Sequence, residues 1–417
     1  MENNKRYEML EYLRKKLKNH ERRAIQRYAQ YDMKFFDQDT GFVIPRAIKN
    51  EYKATLGWTT KAVDALADRL VFREFKDNIF EINEIFRLNN PDILFDSAIL
   101  NALISSCSFI YISKDDEDSV RLQVIESLNA TGIIDPITGL LKNGYAVLER
   151  DKNNNPVVEA LFEPYVTTII RTDEKGKEYV EDIEHNVSYP LLVPILHRPD
   201  AVRPFGRSRI TKSAEYWQRY AKRTLERADV TAEFYSFPQK YVTGLSQNSE
   251  MIDGWKATIS TMLSFEKDED GEKPVLGQFT TPSMSPFTEQ LRTAASGFAG
   301  ETGLTLDDLG FVSDNPSSAE AIKASHETLR VMSEKAQRSI GSGLLNVGFL
   351  ASCLRDDFDY RRDQFTKIEL KWEPIFRPDA STISLIGDGT IKVNQAIPGY
   401  INNEVMRDLT GIKGADE

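Results

Sequence analysis

Residues 206–236 read GRSRITKSAEYWQRYAKRTLERADVTAEFYS, and the rest of the chain is read outward from this stretch. Its apolar positions are Ile210, Ala214, Trp217, Ala221, Leu225, Ala228, Ala232 and Tyr235, separated by steps of three and four. That spacing lays them in one stripe on an α-helix of ~26 residues, about 39 Å long at the helical rise per residue. Other faces carry Lys212, Arg219, Lys222, Arg223 and Arg227. Pro238 ends the helix, because proline offers no amide hydrogen to continue it.

Downstream, residues 239–282 read as a compact insert: a strand at 240–243, a short helix over 251–262, an acidic turn and a strand near 275–279. Ser285-Pro286 then opens a second helix as N-cap and first-turn proline, with Phe287, Leu291, Ala294 and Phe298 on one face until Gly300 and Gly303. A loop over 304–316 leads to Ser317-Ser318-Ala319-Glu320, the pattern of a capping box. The longest helix follows, with Ile322, Leu329, Ala336, Ile340 and Leu344 as its stripe. Gly387-Asp388-Gly389 reads as a turn, residues 367–372 as a strand and 402–409 as a small helix.

Upstream, residues 1–36 form a basic amphipathic helix whose Arg14, Lys15, Lys16, Lys18, Arg22 and Arg23 read as a solvated face. Further helices are expected over 58–71 and 91–107. Between about 108 and 200 the period changes to two. Runs at 109–112, 122–125, 146–148, 165–170 and 191–196 alternate with turn residues such as Asp135-Pro136 and Lys142-Asn143-Gly144. This is a mostly antiparallel β segment, so the fold class is α+β.

The chain has 53 Lys and Arg against 64 Asp and Glu, a net charge of −11. A protein that grips nucleic acid tightly needs a basic excess, because phosphate neutralisation supplies most of that affinity. The balance therefore disfavours a DNA clamp and leaves open a conduit past which DNA slides. No apolar run approaches the ~20 residues that span a bilayer, and the N-terminus lacks a secretory apolar core, so no membrane partner and a cytoplasmic address are expected. Cys107 and Cys353 lie in apolar segments and read as buried reduced thiols.

Signatures of chemistry are thin. His20, His185, His197 and His326 have no Cys or His at metal spacing, so no metal and no cofactor are expected. The run Glu266-Lys267-Asp268-Glu269-Asp270-Gly271 hints at a calcium loop, but position twelve is Gly277, which lacks the required carboxylate. No nucleophile elbow or phosphate loop occurs, and no catalytic residue is assigned. A carboxylate-based hydrolase or transferase using Asp135 and Glu163 is the competing reading from another class.

The order of G-R-S-R-I on a long helix, S-F-P-Q-K-Y-V-T-G, an insert, S-P-F-T-E-Q-L, then E-T-G-L-T-L-D-D-L-G-F-V-S-D-N-P-S-S-A-E-A-I and a long helix resembles the portal proteins of long-tailed bacteriophages. The resemblance runs from about 20 to about 410. It implies a portal-like fold: a wing over 1–205, helical and then antiparallel β; stem helices over 206–237 and 283–302; a small α/β clip over 238–282; a tunnel loop over 303–316; a spine helix over 317–350; and a C-terminal wing part over 351–417 with a reduced or absent crown. Leu306, Asp307, Asp308, Leu309, Gly310, Phe311 and Val312 would then face a central channel, and Lys212, Arg219, Lys222, Arg223 and Arg227 would be candidates to line it.

The function so implied is a structural, non-enzymatic ring subunit, most often one of twelve, at one capsid vertex of a virion assembled in host cytoplasm. Its partners would be double-stranded DNA read without sequence specificity, the terminase large subunit, major capsid and scaffolding proteins, and a head-tail adaptor. Another neck or minor capsid protein is the alternative within the structural class.

Overall fold

The protein is described by a computed structural model that covers residues 2–34, 53–77, 79–173, 175–236, 240–243, 275–280, 283–311, 324–376 and 378–412. Helices and antiparallel sheets alternate along it, so the α+β class read from the sequence is observed. The expected helix at 251–262, the acidic turn at 266–271, the capping box at 317–320 and Val312 lie outside the described residues.

The N-terminal helix α1 (Glu2–Tyr31) is followed by α2 (Trp58–Ala67), β1 (Phe72–Lys76), α3 (Ile82–Arg87) and α4 (Pro91–Ser105). Then come β2 (Cys107–Lys114), β3 (Val120–Glu126), β4 (Ala130–Ile134), β5 (Leu141–Arg150) and β6 (Pro156–Glu163). The β region ends with β7 (Val166–Thr172), β8 (Glu178–Glu184) and β9 (Leu192–Leu196). Strands β4 to β8 form a meander in sequence order, while β9 returns to pair with β2 in a sheet ordered β3-β2-β9. Helix α1 covers the meander: Leu10, Leu13 and Leu17, spaced by three and four, enter a cluster with Tyr145, Val147, Leu161 and Ile170. Burying each leucine is worth ~2 kcal/mol. Arg14 fixes the register by holding Glu159 through both Nε (3.0 Å) and Nη2, while the Tyr145 hydroxyl donates to the same carboxylate. Burial pulls the Arg14 guanidinium down, but its bonds and charge pairing with Glu159 outweigh that, and its net shift is upward.

Beyond β9 lie α5 (Lys212–Ser236), β10 (Lys240–Thr243), β11 (Val275–Gln278) and α6 (Ser285–Thr302). Strands β10 and β11 pair antiparallel at one end of the two helices. Helices α5 and α6 touch closely because Gly297 lies under the Trp217 indole, where a Cβ would come within 2.3 Å of ring atoms. The long helix α7 (Glu327–Arg355) runs from its stripe Leu329, Ala336 and Ile340 into the centre of the main core. After α8 (Arg362–Phe365), β12 (Glu369–Trp372) pairs with β1, and α9 (Ala380–Ala396) and α10 (Asn403–Thr410) complete the described chain.

Several sequence expectations are corrected. Lys142-Asn143-Gly144 is not a turn but part of β5: Asn143 pairs with Ile133, and Gly144 makes room for Leu192, which would lie 3.0 Å from a Cβ there. The reversal sits earlier, at Asp135 to Gly139. Gly387-Asp388-Gly389 lies inside α9. Helix α2 stops at Ala67, short of 71, and Phe72 begins a strand. Helix α7 continues to Arg355, because Val347 to Leu354 is buried on every side and shows no stripe to read.

The segment between β9 and α5 holds these parts together. Four backbone carbonyls at the end of α4 would otherwise lack helical partners. Leu103 O accepts from the Arg209 amide (2.8 Å), Ile104 O from the Ser208 hydroxyl, Ser105 O from the Arg27 guanidinium, and Ser106 O from the His197 amide (3.0 Å). Gly206 makes the tight return possible at φ +77°, where a Cβ would sit 2.2 Å from the His197 carbonyl oxygen. Gly206→Ala is therefore expected to lower stability by ~3 kcal/mol or more, read from its urea midpoint; an unchanged midpoint would refute this account of the junction.

His197 supplies a second test. It is 2 % exposed with Nδ1 2.7 Å from the Arg207 carbonyl, and burial pulls its pKa down to about 3, with Arg209 and Arg198 adding to the effect. The unfolded chain binds this proton near 6.5 and the fold does not, so stability is full above pH ~6.5 and falls as acid is added. Between pH 7 and 5 this residue should account for a loss of about 2 kcal/mol. Urea titrations of the wild type and His197→Gln should differ in pH slope by that amount; parallel slopes would show that the imidazole is not buried neutral.

Candidate functional site

The exposed side of α5 is the most concentrated basic surface among the sequence candidates. At 100° per residue, Lys212, Tyr216, Arg219, Arg223 and Arg227 fall within an arc of roughly 80° over about 22 Å. All five are exposed. Arg219 Nε reaches the Glu215 carbonyl at 3.3 Å, and among the described residues none of the four cations has a carboxylate within 4.0 Å. They form a ridge of positive charge on a chain of net negative charge.

Lys222 is the exception. It follows the buried Gln218 by one helical turn, so it turns inward, at 7 % exposure, with Nζ 3.7 Å from Glu226. Its charge is spent inside the subunit, which removes it from the surface candidates. Gln218 is itself fully buried, and its Oε1 accepts the Thr59 amide at 2.6 Å, tying α5 to the start of α2.

The loop after α6 behaves differently from its sequence expectation. Gly303 leaves the helix at φ +68°, and a single 3-10 turn (Asp307–Leu309) follows. Asp308 Oδ2 accepts both the amide (2.8 Å) and hydroxyl (2.9 Å) of Thr305, and the Thr305 hydroxyl accepts the Asp308 amide in return. Leu306, Leu309 and Phe311 are half-buried and pack against the main core. Phe311, the last described residue of this loop, is thus partly covered by its own chain. Only Asp307 and Gly310 are exposed. The Asp308 carboxylate also lies 3.9 Å from His326 Nδ1 on the other side of the undescribed segment.

Arg209 closes the basic G-R-S-R stretch just before α5. Its guanidinium is buried, donating from Nε to Ala62 O (3.2 Å), from Nη2 to Thr302 O and from Nη1 to Met332 Sδ (3.1 Å). Thr302 ends α6, where the helix dipole is negative, so a cation there is favourable. Burial pulls the Arg209 pKa down to about 10, with Arg198 adding to this. A basic residue just before a helix gives no sequence signal that it points inward.

The residues offered for catalysis are committed locally. Asp135 accepts from the amide and hydroxyl of Thr138 in the β4–β5 reversal, and Glu163 meets Arg6 of α1 at 2.8 Å. Among the described residues, no group of three or more His, Cys, Asp or Glu could hold a metal ion. No described helix is long and apolar enough to cross a membrane. Cys107 and Cys353 are both buried and unpaired, and burial pushes each thiol up to about 12.

The chain is similar to phage portal proteins over most of its length. It is 25% identical over 401 residues to the portal protein of Mycobacterium phage L5, a match covering 90% of this chain and 80% of that protein. The portal protein of Mycobacterium phage D29 is 26% identical over 384 residues, covering 87% and 77%. The resemblance read from residues 206–344 is thus found along about nine-tenths of the chain. No family model matches. Among solved structures, a chain in the neck of an empty gene transfer agent particle, computed with C6 symmetry, aligns at TM-score 0.48 and 15% identity, covering 91% of this chain and 94% of that one. A chain of the native gene transfer agent virion aligns at 0.46 and 14%, covering 89% and 96%.

The two loop aspartates are separable. Asp308→Ala should lower stability by about 1 kcal/mol, the value of a lost helix-start cap. Asp307→Ala should stay within ~0.5 kcal/mol of wild type. Equal effects in thermal melts would contradict the assignment of Asp308 to the Thr305 box.

Proposed function

We propose that this chain is the structural subunit of a phage portal, a ring set at one capsid vertex through which double-stranded DNA is packaged and released. The observation that carries the reading is the alignment with two phage portal proteins along about nine-tenths of the chain. In this reading α5 and α6 are the stem, residues 238–282 the clip that meets the terminase large subunit and later the head-tail adaptor, and 303–316 the tunnel loop. Helix α7 belongs to the spine, while residues 1–205 and the C-terminal part form the wing beside capsid and scaffolding proteins. The subunit itself performs no catalysis; hydrolysis that drives DNA belongs to a separate motor.

The α5 ridge supports a role toward a polyanion. Closing subunits around an axis repeats Arg219, Arg223 and Arg227 as bands of charge, each weak alone. Against a subunit of net charge −11, such bands attract phosphate briefly without the tight grip that would stall passage. Contact to phosphate carries no sequence information, which suits a conduit for any genome.

The expected result for the purified protein is a ring with a central hole in negative-stain images and a mass of many subunits. A strictly monomeric species up to tens of micromolar by sedimentation, in the order-of-magnitude range where specific assembly is seen, would defeat the proposal. Converting Arg219, Arg223 and Arg227 together to Gln should leave rings intact and reduce packaged DNA several-fold. Undiminished packaging would remove the ridge from the channel.

A further inference from the structure

Helix α9 is out of balance with the rest of the subunit. It is 17 residues long and buries none of them. Leu385 is 71% exposed, Ile391 59% and Ile397 55%, and Tyr400 just beyond is 68% exposed. Asp388 and Lys392 are its only charged residues. Gly387 and Gly389 interrupt it with open space where a Cβ would stand, each disfavouring helix by ~1 kcal/mol relative to alanine. A short helix of this composition is marginal in water by itself.

Its position is nevertheless fixed. The side chain of Asn394 is doubly bonded to the backbone of Ile401, linking α9 to α10. In turn α10 is pinned to the β1–β12 ribbon: Asp408 meets Arg73 (2.7 Å) and Lys371 (2.8 Å), and Glu404 meets Lys76 (2.9 Å). The outward side of α9, with Leu385 and Ile391 at its edges and Asp388 and Lys392 between them, is thus held out from the subunit.

A receiving surface lies on the other side of the same ribbon. Side chains alternate along β12. Lys371 turns toward α10, whereas Leu370 and Trp372 turn toward α7 and line an open groove of about 750 Å³ with Gly341, Leu345 and Ile368. Its rim carries Glu334 and Arg338, one helical turn apart. Asp388 and Lys392 on α9 have the same separation and the same order of sign, acid before base, so an antiparallel approach would set Asp388 against Arg338 and Lys392 against Glu334, which also meets Arg330. Two unlike patches, one mounted through α10 on one side of the ribbon and one on the other side, are what a head-to-tail contact requires, and such contacts form a ring where the rotation between copies closes.

We infer that α9 of one copy docks into the α7–β12 groove of the next, so that this pair of surfaces is a contact of the assembled ring. The inference rests on the ring reading above. It assigns the outward side of α9 a second copy of this chain as its occupant.

The test uses the full chain carrying Leu345→Cys and Ile391→Cys, treated with a short bismaleimide; Cys107 and Cys353 are buried and stay unreacted. Wild-type rings are counted first by negative-stain imaging. The expected result is a ladder of dimer, trimer and higher species on a denaturing gel, roughly tenfold above either single-cysteine variant. Asp388→Arg should weaken the ladder, and adding Arg338→Asp should restore it. Rings without a ladder overturn this contact and leave the ring standing. A dimer formed by Ile391→Cys alone shows self-pairing of α9 and overturns it. A cross-link confined to the monomer does the same. Wild-type protein that never forms rings sinks both proposals together.

Discussion

The interaction on which the rest of the subunit depends is the capping of the α4 C-terminus by chain segments remote in sequence. A helix end buried in a core leaves carbonyls that water cannot reach, and each would cost ~1–3 kcal/mol if unpaired. Here the amides of Arg209 and His197, the Ser208 hydroxyl and the Arg27 guanidinium satisfy them. These donors come from α1 and from the connection between β9 and α5. The N-terminal helices, the β region and the α5–α6 pair therefore meet at one point, and their relative placement is a hydrogen-bonding requirement and not only a packing preference. Arg209 extends the same junction by giving its side chain to α2, α6 and α7. A buried guanidinium bonded to two carbonyls and a thioether sulfur fixes three elements at once, because its planar donors point in set directions.

How much of this was legible followed the physics of each element. Helices with one wet face, α1, α5 and α6, were readable because burial imposes a stripe at helical spacing. The second half of α7 was not, since Val347 to Leu354 is enclosed on all sides and periodicity vanishes there. Strand β8, EYVEDIE, is exposed at every position on the edge of its sheet, so it lacks the alternation that identifies a strand; its charges also protect that edge from pairing with other chains. Helix α9 was missed for the opposite reason, because Gly387 and Gly389 are turn residues by local preference and only their surroundings make them helical. Of the site, the basic face of α5 was visible, but Lys222 could not be told from Arg223 without knowing which side Gln218 occupies. The loop residues Leu306, Leu309 and Phe311 gave no sign that they fold back onto the core.

Charge is arranged by the same economy. Glu159, almost wholly enclosed, is matched by a bidentate arginine and a tyrosine hydroxyl, as a buried carboxylate must be. Exposed acidic groups are spread over β8, the 173–184 hairpin and the C-terminal mount. The cations without an ion pair at the candidate site are gathered on one face of one helix. A net charge of −11 thus says little about any particular surface: it averages a basic ridge with an acidic remainder. What the average does set is the background field, and a negative background weakens the hold of each arginine on a phosphate without abolishing it.

The division between core and periphery also bears on assembly. One continuous apolar cluster runs from α2 through α4, β2 and β9 to α7, so the centre of the subunit is complete without neighbours. The C-terminal pair is attached instead through ion pairs of the largely buried Arg73 and Lys371 with Asp408 and of the exposed Lys76 with Glu404, the last worth ~1 kcal/mol or less. Ion pairs of that kind orient an element without supplying the apolar burial that makes a helix with two internal glycines stable. In the proposed ring, the α7–β12 groove of a neighbouring copy would supply that apolar burial. Subunit closure would then add apolar burial to a helix already held in place, so that assembly strengthens the element that makes it.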